Sequence, residues 1–268
     1  MKRMIPQLLA AAVLAFTCIP ASTAAQEASA IGVVILHGKG GRPEGLTRPL
    51  AVNLHQEKGW HVANIEMPWS GRRQYDVDVP SAEEEVSASI KALRQLGASR
   101  IFLAGHSQGA VFAIHYATKH PLDGLVLIAA GGSVATPFYR KQIGASVDRA
   151  RQLVAEGKGK APGEFEEFEG GKGHWNVLTT AETYLSWFDA GGAMNLMKSA
   201  AALPKNLPVL QVTPTGDYPA LLRAKQELFD ALPAHPLKRL HEPASNHRNA
   251  PRDAAGDIAR WIAEVAAR

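Results

Sequence analysis

Ile31-Gly32-Val33-Val34-Ile35-Leu36 carries no polar side chain at any of its six positions. A strand with one wet face alternates apolar and polar residues. A run that is apolar throughout suits a strand covered on both faces, as in a parallel sheet. Strand-like segments recur along the chain, at His61 to Met67 (ended by Pro68), Arg100 to Ala104, Leu122 to Ala130, Pro208 to Val212 and Leu237 to His241. Helical patterns separate them, over 45–58, from Ser81 onward, and over 108–119, 219–232 and 251–267. Ser81-Ala82-Glu83-Glu84 reads as a capped helix start. Val86, Ile90, Leu93 and Leu96 then repeat at helical spacing until Gly97 ends the helix. Strands alternating with helices predict an α/β chain with a mostly parallel central sheet and helices on both faces.

One stretch breaks the alternation. Residues 133–206, after the fourth expected strand, open with a basic helical piece (Arg140, Lys141, Arg149, Arg151). A Gly/Glu-rich loop over 157–173 follows, then an aromatic piece from Trp175 to Phe188. Two readings stay open: a cap or lid over one edge of the sheet, or helices that only cover the core.

The N-terminus reads as a leader. Lys2 and Arg3 precede an apolar Ile5 to Pro20, too short to span a bilayer comfortably, and Ser22-Thr23-Ala24-Ala25 offers small residues for cleavage. A retained anchor helix is the alternative. A lipoprotein reading of Cys18 lacks the usual residues before it. The expectation is a signal peptide over 1–25, a single domain over 26–268, a periplasmic or secreted product and no stable membrane anchor. The chain's one cysteine is Cys18, so the mature protein needs no oxidative folding. Loss of the leader removes two positive charges from a formal net +4, leaving +2. Neither that charge nor any basic–aromatic stripe suggests a nucleic-acid partner.

The chemistry is concentrated at Ile101-Phe102-Leu103-Ala104-Gly105-His106-Ser107-Gln108-Gly109-Ala110. Gly105-x-Ser107-x-Gly109 is short enough to arise by chance, but an apolar strand leads into it and a helical pattern leads out. That is the setting of a nucleophile elbow, where a strained turn projects a serine hydroxyl at the sheet edge. Flanking glycines let strand and helix approach each other.

On these residues the chain resembles the α/β-hydrolase superfamily, over essentially all of 31–268. The resemblance implies the α/β-hydrolase fold with a cap after the fourth strand, and a Ser, acid, His order along the chain. Asp217, at the end of Gln211-Val212-Thr213-Pro214-Thr215-Gly216-Asp217, matches the acid position. Asp189, in the insertion, is its rival. His247, in Glu242-Pro243-Ala244-Ser245-Asn246-His247, matches the histidine, with His241 and His235 as rivals. A serine hydroxyl is a poor nucleophile at neutral pH. It needs a base within hydrogen-bond reach, and the base needs an orienting anion. The resemblance also implies an oxyanion hole made of the backbone N–H groups of Gln108 and of Lys39, the latter in His37-Gly38-Lys39-Gly40-Gly41. His37 is expected to pin that loop.

Loops at the carboxyl ends of parallel strands line the site in such sheets. Trp69 is therefore a candidate pocket wall, and Arg72 or Arg73 a candidate partner for an acyl carboxylate, with surface arginines as the default reading. His174, with Trp175, Tyr184 and Trp187, is expected on the cap side, although aromatics at helical spacing also serve as packing. No zinc-type, EF-hand or phosphate-loop motif appears, so no metal or cofactor is expected. The reading is an exported serine hydrolase, carboxylesterase-like, acting on a small-molecule ester. The alternatives are a peptidase, thioesterase or acyltransferase with the same residues, and a non-catalytic envelope binding protein on the same scaffold.

Overall fold

The computed structural model describes residues 30–268. The expected leader, 1–25, lies outside them. Six strands form one all-parallel sheet: β1 (Ile31–Leu36), β2 (His61–Ile65), β3 (Arg100–His106), β4 (Gly124–Ile128), β7 (Val209–Val212) and β8 (Arg239–His241). Their spatial order is β2-β1-β3-β4-β7-β8.

Period-two alternation splits the core into two layers. Val34 and Leu36 of β1, Ile101 and Leu103 of β3, and Leu125 and Leu127 of β4 face one side. Val33 and Ile35, Phe102 and Ala104, and Val126 and Ile128 face the other. The first layer packs on α2 (Val79–Gln95) and α3 (Gln108–Ala117). On the second lie α1 (Arg48–Val52) and α9 (Ala255–Ala266). Ala255, Ile258, Ala259, Ile262 and Val265 recur every three to four residues, which puts one face of α9 on the sheet. The runs over 31–36 and 124–128 are fully buried, as strands covered on both faces must be.

Several boundaries moved for local reasons. The helix expected over 45–58 is α1 followed by a π-helical turn at Asn53–Glu57. Helix α2 begins at Val79, ahead of Ser81. Asp78 is its cap and accepts from the Ser81 N–H at 3.0 Å, with Pro80 in the first turn where its missing donor costs nothing. The last expected helix is two, α8 (Ala250–Asp253) and α9.

Between β4 and β7 the chain forms α4 (Pro137–Ala155), β5 (Pro162–Glu169), β6 (Gly173–Thr180), α5 (Ala181–Phe188), α6 (Leu196–Ala201) and the segments joining them. The expected Gly/Glu-rich loop over 157–173 is in large part strand: β5 pairs antiparallel with β6, with Phe165 opposite Val177 and Glu167 opposite Trp175. Trp175 therefore lies on a strand, while Tyr184 and Trp187 lie on α5. Helix α7 (Pro219–Ala231) then returns the chain toward β8.

Candidate active site

Strand β3 ends at His106 and α3 starts at Gln108, leaving Ser107 alone between them at φ 53° and ψ −120°. A side-chain-bearing residue held there costs about 1–3 kcal/mol and persists only where its surroundings fix it. Those surroundings are tight. A Cβ on Gly105 would lie 2.3 Å from the Gly109 carbonyl oxygen, and one on Gly109 would lie 2.5 Å from the Leu36 carbonyl oxygen. Glycine at both positions is what lets β3, α3 and the end of β1 close around the serine.

Asp217 and His247 come from the turns after β7 and β8. Gly216 N–H donates to the Ser245 carbonyl at 2.9 Å, and Thr215 N–H to that of Pro243 at 3.0 Å, so the two turns form one unit. Within it, Asp217 Oδ1 lies 2.7 Å from His247 Nδ1 and accepts the Tyr218 N–H at 2.7 Å. His247 Nε2 is 3.0 Å from Ser107 Oγ. An oxygen already accepting the Tyr218 N–H meets Nδ1 as an acceptor, so Nδ1 carries the ring proton. Nε2 is left free to accept from the serine hydroxyl. The Tyr218 ring tilts against the imidazole, 4.4 Å between centroids.

No family model and no curated protein matches the chain. Its likenesses are to solved structures. A complex of DcsB with its substrate analogue matches with a TM-score of 0.65 at 17% identity, over 90% of this chain and 94% of that one. A monoacylglycerol lipase from Paleococcus ferrophilus gives 0.60 at 20% identity, over 87% and 94%. A highly thermostable carboxyl esterase from Bacillus coagulans gives 0.59 at 16% identity, over 87% and 88%. The chain has the α/β-hydrolase fold. At these identities the likeness is one of architecture alone: a parallel central sheet with helices around it.

In this α/β-hydrolase fold the loop after β1 lies against the serine. A Cβ on Gly38 would be 3.1 Å from Ser107 Cβ. Trp69 and His37 hold the loop in place. Met67 N–H donates to His37 Nε2 at 3.0 Å, Trp69 Nε1 donates to the His37 carbonyl at 2.9 Å, and Gly40 N–H donates to the Trp69 carbonyl at 2.9 Å. With Nε2 accepting, His37 Nδ1 donates to the Gly38 carbonyl at 2.8 Å, and burial lowers the pKa of the ring. His37 thus acts as the loop's pin. Trp69 is 2% exposed and packs against Phe112 and Trp187, so it is core and not a pocket wall.

Arg72 and Arg73 also lie elsewhere than expected. Arg72 pairs with Glu66 at 2.7 Å and Glu44 at 3.3 Å, and Arg73 pairs with Glu85 at 2.7 Å and Asp76 at 3.0 Å. Their charges are spent on neighbours outside the cavities around Ser107. His174 is exposed on β6, with Nε2 3.1 Å from Gln142 Oε1 and its ring edge-on to Phe168. It does not line the cavity at the serine. Tyr184 and Trp187 are buried packing residues. Of the rivals, Asp189 pairs with Arg151, His241 faces Asp257, and His235 accepts the Leu237 N–H.

Three cavities lie at or next to the elbow, and two of them reach Ser107. One of about 200 Å³ is bounded by Ser107, Gln108, Lys39, His247 and Leu221. A second, of about 550 Å³, shares its Gly131, Gly132, Phe138 and Leu221 walls and is closed mainly by apolar residues such as Leu196, Met197 and Leu228. A third, of about 110 Å³, lies toward Arg42, Lys172 and Arg248.

Sequence reasoning missed two groups. His106, before Ser107, is buried and its Nε2 lies 2.8 Å from the His247 carbonyl, pinning the backbone that carries the imidazole. Burial pushes its pKa down to about 4, so the ring is neutral near pH 7 and Nε2 donates. A histidine held neutral in the fold and free to protonate when unfolded stabilises fully above pH 6.5, and loses that contribution as pH falls toward 4. Thermal unfolding between pH 7 and 4 is expected to show a loss of about 3 kcal/mol from this group. His37 and His115, also lowered by burial, act in the same direction. A midpoint that does not fall over that range contradicts the assignment. The second missed group centres on Glu167, whose side chain is wholly buried.

Proposed function

We propose that the protein is an exported serine hydrolase that cleaves carboxylic esters through an acyl-Ser107 intermediate. The observation that carries this reading is the unbroken chain from Ser107 Oγ to His247 to Asp217 beside a cavity sized for a small molecule. Ser107 Oγ attacks the ester carbonyl carbon as its proton passes to His247 Nε2. Negative charge gathers on the carbonyl oxygen and is met by the backbone N–H groups of Lys39 and Gln108. Neither of these donates to an acceptor among the described residues. The tetrahedral species collapses, the C–O bond to the alcohol breaks, and His247 gives the proton to the departing oxygen. Water then attacks the acyl-serine with His247 as base, releasing the acid and restoring Ser107.

The 550 Å³ apolar cavity that adjoins the one at the serine suits the acyl chain. Lipases and esterases among the structural likenesses support ester bonds as the target. The leader supports export: N-terminal sequencing of periplasmic protein is expected to begin at Gln26, and a retained Met1 would contradict it.

Matched p-nitrophenyl esters, p-nitroanilides and thioesters, assayed with and without an alcohol acceptor, test the bond type. Esters are expected to have the highest kcat/KM, with water as acceptor. Faster anilide cleavage would make the protein a peptidase, faster thioester cleavage a thioesterase, and dominant transfer to the alcohol an acyltransferase.

A further inference from the structure

Glu167 is an unusual residue to bury. Its strand neighbours Glu164 and Glu166 point to solvent or lie near it, while Phe165 and Glu167 face inward on β5. The carboxylate is fully enclosed and takes four donors. Oε1 accepts from Lys39 Nζ at 2.8 Å, from the Phe168 N–H at 2.9 Å and from the Tyr139 hydroxyl, and Oε2 accepts from the Tyr75 hydroxyl. Burial together with the Glu167 charge raises the pKa of both phenols, so each keeps the proton it donates. Lys39 Nζ is held further by the Phe168 carbonyl at 3.0 Å and sits over the Tyr139 ring. Gln108 Nε2 donates to the Tyr75 hydroxyl at 3.1 Å.

The side chains of Lys39 and Gln108, the two residues whose backbone N–H groups face the reacting oxygen, thus end on one carboxylate. Lys39 reaches it directly and Gln108 reaches it through Tyr75. Tyr75 itself stands at φ 59° beside Gln74 at φ 49°, two non-glycine residues in the left-handed region. Such strain persists where the surroundings over-determine it, and here the Tyr75 hydroxyl is tied to both Glu167 and Gln108. A buried ion pair alone is weak evidence of a stabilising device, since an apolar pair of similar volume often does as well. What sets this one apart is where its arms lead.

We propose that Glu167 is a positioning residue: from a hairpin of the β4–β7 insertion, it fixes both donors of the oxyanion hole. This rests on the acyl-Ser107 reading. The hole is then complete only when the hairpin is seated, which ties the insertion to turnover as well as to the core.

The test is Glu167→Gln with steady-state ester kinetics and a trifluoromethyl ketone inhibitor. Displacing donors by a fraction of an ångström is expected to lower kcat about 10- to 100-fold. KM is expected to stay within about twofold, because the ground-state carbonyl uses the hole less than the oxyanion does. The inhibitor, which forms the oxyanion, is expected to weaken by the same factor as kcat/KM. Lys39→Met combined with Glu167→Gln removes both buried charges. It is expected to regain thermal stability but not kcat, whereas a purely structural role would return both. If Glu167→Gln does not fold, Tyr75→Phe cuts the Gln108 arm alone and is expected to lower kcat at unchanged KM.

A folded Glu167→Gln with kcat within twofold of wild type overturns the inference, as does a double variant with wild-type kcat. If the wild type cleaves no ester, the acyl-enzyme reading itself fails. If it cleaves esters and Glu167→Gln does so equally well, only the positioning role fails.

Discussion

Ser107→Ala is expected to lower kcat for a p-nitrophenyl ester by about 10⁶-fold, while the melting temperature shifts by only a few degrees. The two readouts separate because, among the described residues, Ser107 has one polar side-chain contact, to His247 at 3.0 Å. Losing a single hydrogen bond of that kind costs about 1 kcal/mol. The backbone strain at φ 53° is the same for alanine as for serine, since both carry a Cβ. On the proposed acyl-serine mechanism, losing Ser107 removes the covalent path altogether and leaves only the rate enhancement from the oxyanion donors and from binding. Circular dichroism melts beside initial rates check both halves. Activity within tenfold of wild type in the folded variant would mean that another group does the chemistry.

Asp217→Asn is expected to lower kcat about 10³- to 10⁴-fold with little change in KM. In the native site, Oδ1 takes both the His247 Nδ1–H and the Tyr218 N–H. An asparagine that kept its oxygen in that place would preserve the tautomer but lose the negative charge that stabilises the imidazolium. Turned the other way, its NH₂ group would confront the Tyr218 N–H and drive the ring proton onto Nε2, where it could no longer accept from Ser107. Either arrangement removes what the base needs as the transition state forms. A decrease smaller than tenfold would show that the carboxylate orients little and carries no charge that matters. A rise in KM at constant kcat would move Asp217 into substrate binding.

Much of the architecture was readable because its causes are local. Apolar runs at 31–36 and 124–128 state that both faces of those strands are covered, and Gly-x-Ser-x-Gly between a strand and a helix states a steric requirement that the backbone then shows at Gly105 and Gly109. The positions of Asp217 and His247 came from the resemblance in chain order, and the structure brings His247 to Ser107 and Asp217 to His247.

What was not readable depends on partners far along the chain. Glu167 sits among Glu164, Glu166 and Glu169, and a charge run of that kind reads as a solvated face. It is drawn inside by Lys39, Tyr75 and Tyr139, which lie 128, 92 and 28 residues away. Its hairpin also defeats a simple period-two reading, because Phe168 breaks the alternation that Phe165 begins. Trp69 follows a strand and so invites a pocket role, yet its indole N–H finds the His37 carbonyl and takes the ring into the core. Arg72 and Arg73 invite an anionic ligand, yet Glu44, Glu66, Asp76 and Glu85 reach them first.

The central claim is that Ser107 is an activated nucleophile, and covalent capture tests it without knowledge of the natural substrate. The mature protein and Ser107→Ala would each be incubated with a fluorophosphonate and weighed intact. The account predicts one adduct per wild-type chain, mapped to Ser107, and none on the variant. No adduct on folded wild type, or an equal adduct on Ser107→Ala, would contradict it.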